Sequence, residues 1–306
     1  MRRVSESFDR GRNSGGREPN RRFILVFEGY RTEVEYFKGV GRNRDYVGIP
    51  SSLVDVCVLS RLPQHSGHSD PFRLLDLLDG YMDLLRTGRY VPELFVNMFL
   101  SSIEPGTEYE ATLAETAVSE LRGISDTDGR IMDLPGAFDI CNRLYSELLG
   151  PDRKITELDE PVDFIDGRDV VCVIIDRDRE NRSSSKCGDF ISRCNESGYL
   201  PFMTNPCFEM WLLLHFEEAL HIDRKDLLSD RKEDGKRYTE RMLDDILLRF
   251  DPDAGYDKTC LDFGRFMHRI DDAIYNEKMF CHDIKCIRSE VGSNIGSLME
   301  MMRRRS

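Results

Sequence analysis

Val170-Val171-Cys172-Val173-Ile174-Ile175, followed at once by Asp176-Arg177-Asp178, is the strongest strand signal in the chain. A continuous, mostly β-branched run without polar alternation suits a central parallel strand covered on both faces. An earlier run, Phe23-Ile24-Leu25-Val26-Phe27, has the same character and ends in Glu28-Gly29. Residues 53–59 and 199–203 read as further strands. Between them lie helical patterns. Thr32-Glu33-Val34-Glu35 reads as a capping box with Thr32 as N-cap, Val34, Phe37 and Val40 form the inward face, and Gly41 ends the helix. Residues 74–85 and 186–196 are also expected to be helical. This alternation spells an α/β fold with a mostly parallel sheet flanked by helices. In such sheets ligands bind outside the carboxyl ends of the strands, where Glu28, Asp176 and Asp178 stand.

Outward from this core the pattern changes. Residues 1–20 carry Arg2, Arg3, Arg10, Arg12 and Arg17 among Gly, Asn and Ser, the composition of a disordered basic tail, either solvated or resting on phosphates. The core is expected at 21–88 and 168–217, with a mainly helical insertion at 89–167. That insertion holds helices near 107–121, opened by Thr107 and Glu110 as a capping box, and 138–149. Its Leu94, Phe95, Met98 and Phe99 offer apolar surface for a homodimer. Asn205-Pro206 reads as a helix start, with Asn205 as N-cap and Pro206 at the first turn. Residues 218–306 form a helical C-terminal part, with helices at 239–249, at 261–276 and from Ser293-Asn294 onward.

The formal charge of −13 over 306 residues excludes a protein that coats nucleic acid through a general basic surface. Local clusters remain: Arg31, Lys38, Arg42 and Arg44 on one side, Arg177, Arg179, Arg182 and Lys186 on the other, flanking acidic motifs as phosphate contacts or as solvated surface. The longest uncharged apolar stretch, 94–103, is too short to span a bilayer, and the N-terminal segment has no apolar signal region. Nine cysteines without a Cys-x-x-Cys pair suggest reduced thiols and a cytoplasmic protein; Cys57, Cys172 and Cys207 sit in apolar runs, and Cys281 and Cys286 are expected to be unpartnered. His65 and His68 lack partners at zinc spacing. Neither a Walker loop nor a Gly-x-Gly-x-x-Gly is present, so any ATP requirement belongs to a partner.

Residues i and i+2 of extended chain share a face, so Asp176 and Asp178 point the same way. With Glu28 from a neighbouring strand, three carboxylates would converge and repel one another unless a cation neutralises them. Hard oxygen ligands of this kind suit Mg²⁺ or Mn²⁺, which polarises phosphoryl oxygens and readies water for attack. Alone, an Asp-x-Asp after a strand equally suits a loop turn or a helix cap.

Phe27-Glu28-Gly29-Tyr30-Arg31-Thr32-Glu33 with Tyr36-Phe37-Lys38 resembles the opening of the RloB-like family, as does Asp176-Arg177-Asp178 after its apolar strand. The most specific likeness is Asn205-Pro206-Cys207-Phe208-Glu209-Met210-Trp211-Leu212-Leu213-Leu214-His215-Phe216. Tyr256-Asp257-Lys258 and Ser293-Asn294 to Leu298 are similar to later short motifs, with a departure at Ile295-Gly296, where a Pro-Ser pair is more typical. The resemblance covers about 21–60 and 168–300. It implies a Toprim-like (Rossmannoid) fold in which Glu28, Asp176 and Asp178 hold Mg²⁺ or Mn²⁺ for phosphodiester chemistry. It also implies an abortive-infection, antiviral role beside an ABC- or AAA-type ATPase, on RNA, tRNA favoured over DNA.

Glu209, in the first turn of its helix, is a further carboxylate of the site or a complement to the helix dipole. Lys258 steadies charge on a transferring phosphate or is an exposed loop cation. His215 is a core histidine or a base. Glu33 and Glu180 help hold metal or cap and solvate their segments; Arg31 and Asn205 are further candidates. Two other functions fit the same residues: a catalytically silent interaction module for the ATPase, and a haloacid-dehalogenase-like phosphatase with Asp176 as nucleophile.

Overall fold

The computed structural model describes residues 2–3, 21–29, 31–52, 54–60, 71–100, 102–103, 110–150, 152–158, 164–177, 183–252 and 255–304. The expectations for the rest of the basic tail and for Tyr30, His65, His68, Thr107, Asp178, Arg179, Glu180 and Arg182 lie outside the described residues. The chain divides into two units, Met1–Ser5 with Leu59–Ile165 and Glu6–Val58 with Asp166–Ser306.

The described strands are β1 (Arg2–Arg3), β2 (Arg21–Phe27), β3 (Val54–Ser60), β4 (Val170–Asp176), β5 (Leu200–Asn205) and β6 (Gly292–Ser293), in the order β1-β3-β2-β4-β5-β6. β2, β4 and β5 run parallel, and β6 pairs antiparallel with β5. β4 is central, with Val171 to Ile175 all buried, as its unbroken apolar run requires. Arg2 and Arg3, expected in the disordered tail, instead pair antiparallel with Ser60 and Leu59. At the far edge, Asn294 Oδ1 accepts from the Met203 amide at 2.7 Å and the Asn294 amide donates to the Met203 carbonyl at 3.3 Å, extending the short β6 pairing.

The helices are α1 (Thr32–Arg42), α2 (Pro71–Thr87), α3 (Pro92–Leu100), α4 (Glu110–Arg122), α5 (Leu134–Leu144), α6 (Ser146–Leu149), α7 (Ser184–Glu196), α8 (Glu209–Leu213), α9 (Arg224–Ser229), α10 (Tyr238–Phe250), α11 (Gly264–Met267), α12 (Ile270–Glu277), α13 (Ile284–Ile287) and α14 (Ile295–Arg303). The unit holding α2 to α6 starts at Leu59, upstream of the 89 expected from sequence. It has its own core: Phe95, Phe99, Leu121, Phe138 and Tyr145 pack together. Leu94, Phe95, Met98 and Phe99, expected to offer a dimer surface, are buried in the monomer. That expectation is therefore corrected, because every residue of α3 except Glu93 is buried.

Local signals failed at four places. Arg31, not Thr32, occupies the cap position of α1, and the Thr32 hydroxyl donates to the Lys258 carbonyl at 3.4 Å. The helix expected at 138–149 is split into α5 and α6, and that at 261–276 into α11 and α12 with Arg269 outside helical geometry. Asn205 does not cap a helix. It ends β5, fully buried, and donates to the carbonyls of Ile287 (2.6 Å) and Glu290 (2.8 Å); its bond to Pro206 is cis, and α8 begins at Glu209. Cys281 and Cys286, expected to be unpartnered, are joined in a disulfide. The turn into α13 brings their Cα atoms to 6.0 Å, a separation a disulfide spans. Among the described residues no helix is long and apolar enough to cross a membrane.

Candidate acidic site at the sheet edge

The register explains why the acidic residues meet. Phe27 of β2 lies beside Ile174 of β4, and Asp176 lies beside Thr204 of β5. Glu28 and Asp176 therefore leave the sheet at the same carboxyl edge, one register step apart. The Glu28 amide still donates to the Ile174 carbonyl at 3.1 Å before the chain bends. Gly29 follows; a Cβ there would run into the Glu33 carboxylate, so the glycine lets the first turn of α1 fold its acid back over the end of β2. Thr204 donates to Asp176 Oδ1 at 2.7 Å from the neighbouring strand.

A fourth acid arrives from α8. Glu209 is buried, and its Oε1 accepts from the Tyr256 hydroxyl at 2.8 Å and pairs with Lys258 Nζ at 3.0 Å. Lys258 also pairs with Glu240, in the first turn of α10, at 3.0 Å. A half-exposed ammonium thus bridges a buried and a more exposed carboxylate, and the two negative charges, Glu209 above all, hold it protonated against its desolvation.

The electrostatics follow from burial and crowding. Burial raises the Asp176 carboxyl well above the usual range, and the charges of Glu33, Glu209 and Glu28 raise it further, while the Thr204 hydroxyl opposes them. Burial likewise pushes Glu33 up to about 7, with Glu209 and Glu28 adding and its own backbone amide and Lys258 opposing. Burial alone would raise Glu209 too. The charge of Lys258 and hydrogen bonds from Cys207 and Tyr256 instead hold it below its ordinary value. Lys258 pairs with one acid of the cluster, and the acids raise one another's pKa by repulsion.

Of the residues singled out from sequence, Glu28, Asp176, Glu209, Lys258 and Glu33 interact with one another in this cluster. Asp178 and Glu180 lie outside the described residues. Arg31 is exposed beside α1. His215 is fully buried: Nδ1 donates to the Trp211 carbonyl at 3.0 Å, so Nε2 accepts from the Tyr36 hydroxyl at 3.0 Å. Burial pulls its pKa down to about 3, which makes it a neutral core histidine joining α1 to α8. Arg177 turns inward, its Nε donating to the Arg288 carbonyl at 2.6 Å, and Lys38 and Arg44 pair with Glu35 and Asp55. These three are thereby engaged within the chain.

Sequence reading missed three contributors. Thr204 is visible only through the β4–β5 register. Glu240 carries a helix-start signal, since its carboxylate accepts from the Arg237 amide at 3.0 Å, but nothing in that signal points to Lys258. Tyr256 stands two residues before Lys258, and only the folded loop turns both onto Glu209.

Among the described residues, no group of three or more His, Cys, Asp or Glu side chains is arranged to hold a metal ion. The donor chemistry nevertheless fits a hard divalent cation: the groups crowded here are carboxylates, close enough to raise one another's pKa. No curated protein and no solved structure matches the chain. A match to RloB-like proteins extends over residues 23–302, from the first residues of β2 into α14 and across both units, and the chain therefore belongs to the RloB-like family.

Proposed function

We propose that the chain is a Mg²⁺- or Mn²⁺-dependent nuclease with a Toprim-like site, hydrolysing phosphodiesters of RNA, tRNA favoured over DNA, as an antiviral effector beside an ATPase partner. The observation that carries this reading is the gathering of Glu28, Glu33, Asp176 and Glu209 at one sheet edge, with Lys258 paired to Glu209. Glu28 and Asp176 are the residues that would hold the cation, with Asp178 expected as a third. Bound there, it supplies Lewis-acid polarisation of a phosphoryl oxygen. Thr204 fixes the rotamer of Asp176 through its hydroxyl. Glu209, pinned by Tyr256, places the Lys258 ammonium beside the carboxylates, where it offers positive charge to a phosphate oxygen. The half-exposed position of that ammonium leaves it accessible to substrate.

The test is cleavage of tRNA, other RNA and DNA by the purified chain in Mg²⁺ and in Mn²⁺, with and without the ATPase partner. Total nucleic acid is also compared from cells expressing wild type and Glu28→Gln. Discrete tRNA fragments with wild type and none with Glu28→Gln or Asp176→Asn support the reading; cleavage by either variant at the wild-type rate defeats it. A second reading of the same acidic edge is a silent interaction module for the ATPase. Metal-dependent thermal stabilisation without turnover on any nucleic acid would favour that one. A phosphate trapped covalently on Asp176 would point to the phosphatase chemistry instead.

A further inference from the structure

The side chains of Arg177, next to Asp176, and of Asn205, on the neighbouring strand, are held by the segment that directly follows the short ring closed by the Cys281–Cys286 disulfide. Arg177, next to Asp176, donates its Nε to the Arg288 carbonyl. Asn205, next to the Thr204 that binds Asp176, donates to the carbonyls of Ile287 and Glu290. All three acceptors lie within five residues after Cys286. Beyond them the chain returns to Cys281: the Cys281 amide donates to the Val291 carbonyl at 3.2 Å and the Ser293 amide to the Cys281 carbonyl at 3.1 Å. A Cβ on Gly292 would collide with the Cys281 carbonyl, so the two segments touch at the backbone. Both cysteines are half-buried, within reach of solvent.

We infer that Cys281–Cys286 is a thiol–disulfide exchange site whose redox state sets the rigidity of the acidic edge. Its reaction partner is a dithiol reductant. One thiolate of the dithiol attacks a sulfur of the pair, a mixed disulfide forms, and the other cysteine leaves as a thiolate that takes up a proton. The second thiol of the dithiol resolves the mixed disulfide. The reductant ends as its own disulfide, and two electrons have passed to the cysteines. Re-oxidation is the reverse exchange with a small-molecule disulfide such as oxidised glutathione. In the oxidised form α13 is tied to Cys281, and the carbonyls of Ile287, at its end, and of Arg288 and Glu290, just beyond it, brace Arg177 and Asn205. Reduction unties it and loosens both. The functional consequence rests on the reading of the acidic edge as the site; the exchange itself does not.

The test is amide hydrogen exchange on the full chain, in oxidised and in reduced dithiothreitol, with disulfide mapping by mass spectrometry. Closing so short a loop restricts its open states, so reduction is expected to speed exchange at the amides of Cys281, Ser293 and Asn294 by on the order of tenfold. The Phe23 to Phe27 amides should stay unchanged. The Cys281→Ser/Cys286→Ser double variant should exchange as the reduced wild type does and ignore the reductant. Absence of the disulfide after equilibration with oxidised glutathione overturns the inference, as does equal exchange in both wild-type states. Neither result touches the nuclease reading, which is judged by cleavage alone.

Discussion

Glu277 shows how far a single buried acid can set behaviour away from the acidic edge. Its Oε1 accepts from the Gly296 amide at 2.9 Å, a carboxyl at the first turn of α14. Burial nevertheless pushes the carboxyl from 4.5 up to about 7, against the hydrogen bonds from Gly296 and Ser293. The folded chain thus keeps a proton that the unfolded chain gives up. Stability from this group is complete below about pH 4.5 and is lost as pH rises towards 7, an order of 2–3 kcal/mol. Glu277→Gln keeps the acceptor and cannot ionise, so urea unfolding at pH 5 and pH 7.5 should show a smaller fall for the variant than for wild type. Lys258 makes the complementary case. Lys258→Met leaves Glu209 buried beside other acids with only Tyr256 and Cys207 to hold it, and should cost about 1–3 kcal/mol, near the low end because the ammonium is half in water. A thermal melt without added metal measures it.

At the level of elements, α1 and the turn that follows α8 are joined by a buried hydrogen bond inside an aromatic cluster. The Tyr36 ring meets Phe208, His215 and Phe263 edge-on at 5.3–5.6 Å. Tyr36→Phe preserves the ring and strands the His215 Nε2, so it should cost about 1–3 kcal/mol in denaturant melts. Gly39→Ala acts on the next turn. The new methyl group would meet the Phe263 ring beside α11, and an overpacked contact of that kind costs roughly 1–3 kcal/mol. Boundaries were the least legible feature at this scale. Thr32 and Asn205 carry cap chemistry, but each hydrogen-bonds a distant carbonyl, Lys258 in one case and Ile287 and Glu290 in the other. Such partners, far apart along the chain, leave no mark in a local window.

Across the molecule, the central strand, the parallel order and the acidic edge were legible because apolar runs ending in acids follow directly from what a covered sheet needs. The packing of the helical unit was not. The apolar face of α3 reads equally as a dimer surface or as a core, and only its packing against α4 and α5 decides. Phe99→Ala should therefore create a cavity costing about 3–5 kcal/mol. Hydrogen exchange should show protection lost across α3 to α5 before β2, β4 and β5. The outer side of β5 carries a different lesson. Ahead of the residues paired with β6, its outward positions are Tyr199, just before the strand, Pro201 and Met203. The first is spent on the Cys194 carbonyl, the second is a proline with no N–H, and the third is taken by Asn294. Ahead of the two residues that β6 covers, these positions offer no amide to a strand from another copy of the chain, a guard on this stretch of β5 against the edge-to-edge stacking that seeds fibrils.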